Sequence, residues 1–233
     1  LVGLSISWEP NQGIYVPFNK YLTPIASETQ ASLFQLDPTP NQTDPFQRNP
    51  LLDCLVPILE DPTIPKTTHH GKYEILVLQN YQVALKGIAF DTLLAAYLLH
   101  PQDPRGLKAL AKRYLDMDMT TFKEVAGTNP FQDVPIDQAT AYAAADSDMT
   151  LQLAQLFAPK LSEKGLMDLF EDIEMPLQPI LAAMEREGVC LNTPYLNQLE
   201  SEFHTQTTAL AETITQEAGV AINLNSPKQV AEL

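Results

Sequence analysis

The sequence predicts an α/β layered fold that passes into an all-helical tract, and three observations predict it. Two β-rich runs, LVGLSISW and GIYVPF, flank the turn-forming EPNQ, so residues 1–18 read as a hairpin at the edge of a sheet. Further on, KGIAFDTLLAAYLLH places a short strand, 87–90, directly before a helical pattern. From residue 136 onward the apolar spacing is helical throughout. Strand and helix alternate in the first part, which is the signature of layered α/β packing, and the remainder is helical.

Each element follows from its residues. After the hairpin, 19–49 turns to Pro, Thr, Gln and Asn with little periodicity and reads as a long surface loop. LLDCLVPILE (51–60) is a short apolar-faced helix, closed off by Pro62 and Pro65. HHGKYEILVLQNY reads as a helix whose first turn carries His70 and Glu74, four residues apart. Asp91 and Thr92 stand at the junction between strand 87–90 and its helix, where Asp and Thr are preferred N-caps; the structural reading of Asp91 outranks a catalytic one. RGLKALAKRYL is a further amphipathic helix, and VPIDQATAYAAADSDMTLQLAQLF a longer one with Pro135 suited to its first turn. LMDLFEDIEMPLQPILAAMEREGV is helical, with a kink expected near Pro176 and Pro179 and Gly188 as its end. Asn192 or Thr193 caps a helix to about residue 217, and Ser226 with Pro227 opens the last one. There is no internal repeat.

Bulk properties bound the function. At 233 residues and 45% hydrophobic content the chain buries a real core and fits one domain plus part of another. No apolar run of about 18 residues occurs. The start, LVGLSISWEP, has no basic flank or small-residue cleavage site. A soluble protein is expected. Cys54 and Cys190 lie far apart and in no metal-ligand spacing, which suggests a reducing compartment, the cytoplasm. A formal charge of −15 argues against coating nucleic acid by the whole surface. It does not exclude a nuclease whose carboxylates hold divalent metals, since the cations then supply the positive charge. The missing initiator methionine and the end at AEL read as cuts at both ends.

The stretch YAAADSDMTLQL carries the chemistry. In a helix Tyr142 and Asp146 lie one above the other on a single face, with Asp148 pointing elsewhere. A carboxylate there can bind a divalent metal, and the phenol can hydrogen-bond the water that the metal activates. The competing reading is a buried tyrosine bonded to nearby backbone, with Asp146 solvated. His70 and Glu74 share the same spacing, and a surface contact between them is the plainer reading. His69 and His70 are neighbours about 100° apart around a helix, which is poor for chelating one ion.

These residues, together with GIAFDTLLAAYLL, IEMPLQPILAAMEREGVCLN and NLNSPKQVAEL, closely resemble the bacterial DNA polymerase I family, the family A DNA polymerases, from LVGLS to the last residue. The resemblance implies a 3′–5′ proofreading exonuclease of ribonuclease H-like α/β fold over 1–161, its first strand missing. It implies the all-α start of the polymerase thumb over 162–233. It implies two divalent metal ions, Mg²⁺ or Mn²⁺, with Asp146 as metal ligand and Tyr142 orienting the attacking water. The alanines beside them let the helix pack closely on the sheet. The family pattern Asn-x-Lys-Tyr-Asp reads here His70-Gly71-Lys72-Tyr73-Glu74. Both ends depart from it, which leaves Glu74 as a second, looser metal ligand and His70 as a substrate-side residue. Lys228 is a candidate phosphate contact near a helix start, a solvated lysine being the competing reading.

The family's first motif, Asp-x-Glu, is expected before LVGLS. Without it the 233-residue chain is expected to be inactive and its sheet incomplete. The expected partners are a single-stranded 3′ end and primer-template duplex DNA, with no membrane and a monomeric state. Two other readings stand beside this one. An exonuclease-like domain that has become a catalytically inactive scaffold is favoured by His70 and Glu74. A stand-alone ribonuclease of the same fold is disfavoured by the IEMPL and NLNSPKQ segments.

Overall fold

Alternating apolar residues and a tight turn make the first element. β1 (Gly3–Glu9) and β2 (Gln12–Pro17) pair antiparallel, with Leu4 opposite Val16 and Ile6 opposite Ile14. Asn11 turns the chain in the left-handed region at φ 64°, which a short polar side chain tolerates. This computed structural model describes residues 1–18, 49–220 and 222–231, so the expected loop over 19–49 lies almost wholly outside the described residues.

α1 (Pro50–Glu60) starts on Asn49, whose side chain accepts from the Leu51 N–H at 2.8 Å. Three residues, β3 (Lys66–Thr68), then pair in parallel with β4 (Ile88–Asp91), and α2 (Gly71–Asn80) crosses between them. Parallel neighbours require such a crossover. β3 was not foreseen: three residues after a proline cannot show a period of two. α3 (Thr92–Leu99) and α4 (Leu107–Leu115) follow. α5 (Phe122–Ala126) is a single turn stabilised by a reciprocal cap, the Thr121 N–H donating to Glu124 Oε2 at 2.6 Å and the Glu124 N–H to Thr121 Oγ1 at 3.3 Å. A 3₁₀ turn, Phe131–Asp133, leads into α6 (Ile136–Glu163), of 28 residues.

α6 is the axis of this unit. Its Leu153, Phe157 and Leu161 pack with Ala95 and Leu99 of α3, Leu110 of α4 and Phe170 in the principal core. Nearer its start, Ala139 joins Ala126 and Val134, with Tyr15 of β2 against them. Phe18, Leu52, Leu59, Leu78 and Val83 form another cluster, beneath the hairpin. The alanine run serves close approach: a Cβ on Gly13 of β2 would stand 3.0 Å from the Ala144 carbonyl oxygen and 3.1 Å from its methyl. Strand and helix therefore meet backbone to backbone.

α7 (Met167–Leu169) runs into a π turn, Phe170–Glu174, and α8 (Met175–Glu187). The distortion expected at Pro176 falls one turn earlier. Pro176 offers no N–H to the carbonyl of Asp172 and its ring crowds that oxygen, so the preceding turn widens. Gly188 ends the tract at φ 72°. The chain divides into two compact units, Leu1–Glu187 and Gly188–Leu233. The second holds α9 (Thr193–Ala218), capped by Asn192 on the Tyr195 N–H at 3.2 Å, and α10 (Pro227–Ala231).

Candidate functional site

Tyr142 and Asp146 lie four residues apart on α6 and line one pocket of about 280 Å³, together with Met119, Thr120, Glu124 and Val125. Both are partly buried. Burial, then the charge of Asp146 and a hydrogen bond with it, raise the Tyr142 pKa, so the phenol keeps its proton at neutral pH. Burial also raises the Asp146 pKa, against the opposing charge and hydrogen bond of Lys108 and a hydrogen bond from Tyr142. Lys108 comes from α4: its Nζ donates to Asp146 Oδ1 at 3.3 Å and stands 4.3 Å from the centre of the Tyr142 ring. Sequence reasoning missed Lys108, which sits 38 residues from Asp146 in an ordinary amphipathic helix.

Asp148 does point elsewhere. Its Oδ1 accepts from the Asn11 N–H at 2.8 Å and from Gln152 Nε2 at 3.0 Å, pinning the hairpin turn to α6.

The second candidate pair departs from the helical expectation. His70 is the residue before α2, in the left-handed region at φ 81°, and so does not stack over Glu74. The turn from β3 into α2 demands that conformation, which His and Asn enter more readily than most residues. Its ring stacks on Tyr73, centroids 6.1 Å apart, while His69 turns away to Thr92 Oγ1 at 2.8 Å. Glu74 lies on α2 and is half-buried as a residue, yet its Oε2 is wholly shielded and has no hydrogen-bond partner. Burial first, and the nearby charge of Asp91 second, push its pKa up to about 8.

Asp91 is more than the N-cap the sequence announces. It is fully buried. Oδ1 accepts from the N–H groups of Leu93 at 2.9 Å and Leu94 at 3.3 Å, capping α3, and from the His70 N–H at 3.2 Å. Oδ2 accepts from the Gly71 N–H at 2.6 Å, Thr68 Oγ1 at 3.2 Å and Gln178 Nε2 of α8. One carboxylate thus holds the starts of both α2 and α3, and the donors that reach its two oxygens offset the cost of burying so polar a group. Gly71 makes room for it: a Cβ there would meet Thr68 Oγ1 at 2.6 Å and Gln178 Oε1 at 2.8 Å.

Glu74 and Asp146 therefore have different charged neighbours, Asp91 for one and Lys108 for the other. Among the described residues no group of three or more His, Cys, Asp and Glu is placed to hold a metal ion. Lys228 sits at the second position of the five-residue α10, in the second unit. No helix of the described residues is long and apolar enough to cross a membrane.

Comparison with known proteins gives this geometry its context. Residues 8–162 match the 3′–5′ exonuclease family of the family A DNA polymerases. DNA polymerase I of Pseudomonas aeruginosa is 34% identical over the whole chain, which covers 24% of that protein. The chain spans about a quarter of the length of such curated relatives. A solved structure of the POL domain of Pol1 from M. smegmatis, in complex with DNA primer-template and dNTP, is 32% identical with a TM-score of 0.64, over 81% of this chain and 30% of that one. A nuclease solved in its apo form shares the fold, at 23% identity and a TM-score of 0.50, over 61% of this chain and 66% of that one. The ribonuclease H-like exonuclease architecture expected from the sequence, with helices after it, agrees with these likenesses. The match across two thirds of the chain decides the matter: the chain belongs to the 3′–5′ exonuclease family of the family A DNA polymerases.

Proposed function

We propose that this chain is the proofreading region of a DNA polymerase acting in replication and repair, with the exonuclease over 1–161 and the start of the polymerase thumb over 162–233. The observation that carries this reading is the pairing of Tyr142 and Asp146 on one face of α6, both lining one pocket. The substrate is the 3′-terminal nucleotide of a DNA strand. An unpaired end is preferred because its base costs less to unstack into a pocket.

The carboxylates suit a hard divalent cation in kind. The shielded, unpartnered Oε2 of Glu74 is an oxygen that a cation would satisfy. In number the two fall short of a metal pair. Asp146 and Glu74 would be the carboxylates this chain offers to Mg²⁺ or Mn²⁺, a cation that would, when bound, supply activation of water. The chain's own contribution is positional. Tyr142 keeps its proton, so its hydroxyl can orient a water beside Asp146. His70, its ring stacked on Tyr73, presents a flat surface at the start of α2 for a substrate base or sugar. Lys228 offers a charge to a duplex phosphate.

A second reading, a catalytically inactive scaffold, is favoured by the proton that Glu74 holds up to about pH 8. One experiment separates the two: nucleotide release from 3′-labelled single-stranded DNA by the whole protein in Mg²⁺ or Mn²⁺. Release that Asp146→Ala lowers by at least about a hundredfold is expected of an exonuclease, in line with the loss of a metal ligand. Primer extension with no release above that control is the scaffold's result.

A further inference from the structure

The ion pair at Asp146 has a consequence for how the site takes up metal. Lys108 Nζ stands 3.3 Å from Oδ1, and the two side chains are about equally shielded, 30% and 31% exposed. The ammonium is held from a second side by the Tyr142 ring. Its charge also reaches Glu124, whose carboxyl is lowered chiefly by its bonds to Thr121 and lastly by Lys108. Thus, among the described residues, the protein itself supplies a cation beside the Asp146 carboxylate. A dication on the same carboxylate would be repelled by an ammonium a few ångströms away, or would have to displace it.

We propose that Lys108 is a built-in counterion of Asp146 that competes with the divalent metal, so that the site loads only when the lysine swings off the carboxylate. This rests on the reading of Asp146 as a metal ligand. Lys has the means to move: a flexible four-carbon stem and a compact charge, with exposed space to enter. Once displaced it stays within reach of the pocket, where an anionic nucleotide phosphate is its natural next partner. Substrate would then favour loading by drawing the lysine away.

The test is Mn²⁺ binding to the whole protein at about pH 7.5, read from the spin-resonance signal of free Mn²⁺, without any assay of activity. Lys108→Met keeps the stem and removes the charge, and should bind Mn²⁺ about tenfold more tightly, a gain that shrinks as salt rises. Lys108→Arg keeps the charge and should stay within about threefold of wild type, which separates charge from packing. Asp146→Asn should weaken binding and abolish the gain from Lys108→Met. If Asp146→Asn weakens binding but Lys108→Met leaves it unchanged, the competition is wrong and the metal-ligand reading survives. If Asp146→Asn leaves binding unchanged, the metal-ligand reading itself fails.

Discussion

Glu74 should make the fold's stability fall as pH rises. Its carboxyl ordinarily titrates at 4.5 and is pushed to about 8 by burial and by Asp91. Between those values the folded chain holds a proton that the unfolded chain has released. The folded state binds more protons, so stability is fully present below about pH 4.5 and is lost progressively up to about pH 8. At about 1.4 kcal/mol per pH unit the ceiling is about 5 kcal/mol. Relaxation of α2 and entry of water reduce this, and a loss of about 2–3 kcal/mol is expected. The assay is urea unfolding of wild type and Glu74→Gln from pH 5 to pH 9, with a chelator present so that no cation takes the carboxylate. Glu74→Gln, neutral at every pH, should match wild type near pH 5 and exceed it by about 2–3 kcal/mol at pH 8.5. His69, whose pKa burial lowers, contributes stability that is lost as pH falls below its ordinary value. It does so equally in both proteins and cancels in the difference. A difference that stays flat from pH 5 to pH 8.5 would refute the claim that Glu74 is held neutral.

The other expectations concern what Asp91 supports. Asp91→Ala strands the Gly71 N–H and the Gln178 amide in the interior and should cost about 3–5 kcal/mol in the same urea assay; a cost below about 1 kcal/mol would show that water reaches these groups. Gly71→Ala places a methyl 2.6 Å from Thr68 Oγ1 and should cost about 1–3 kcal/mol by displacing that network, visible as a drop in Tm.

Sequence pattern alone located the hairpin, the cap at Asp91, a cap at Asn192 or Thr193 that the structure gives to Asn192, the long helix of Tyr142 and Asp146, and the resemblance that implied their roles. These are local or ordered along the chain: a period of two, a period of 3.6, a capping residue at a helix start, a fixed spacing of four. Tertiary structure decided what is long-range. β3 is too short to carry a period and exists because β4 pairs with it. His70 leaves the helix because the chain entering from β3 must turn through the left-handed region. Asp91 takes up donors from β3, α2, α3 and α8, up to 87 residues away. Lys108 reaches Asp146 only because α4 and α6 pack through Leu110, Leu153 and Phe157. A sequence states which groups a helix presents, whereas the burial and charge that tune Glu74 and Asp146 arise only when separate elements close around them.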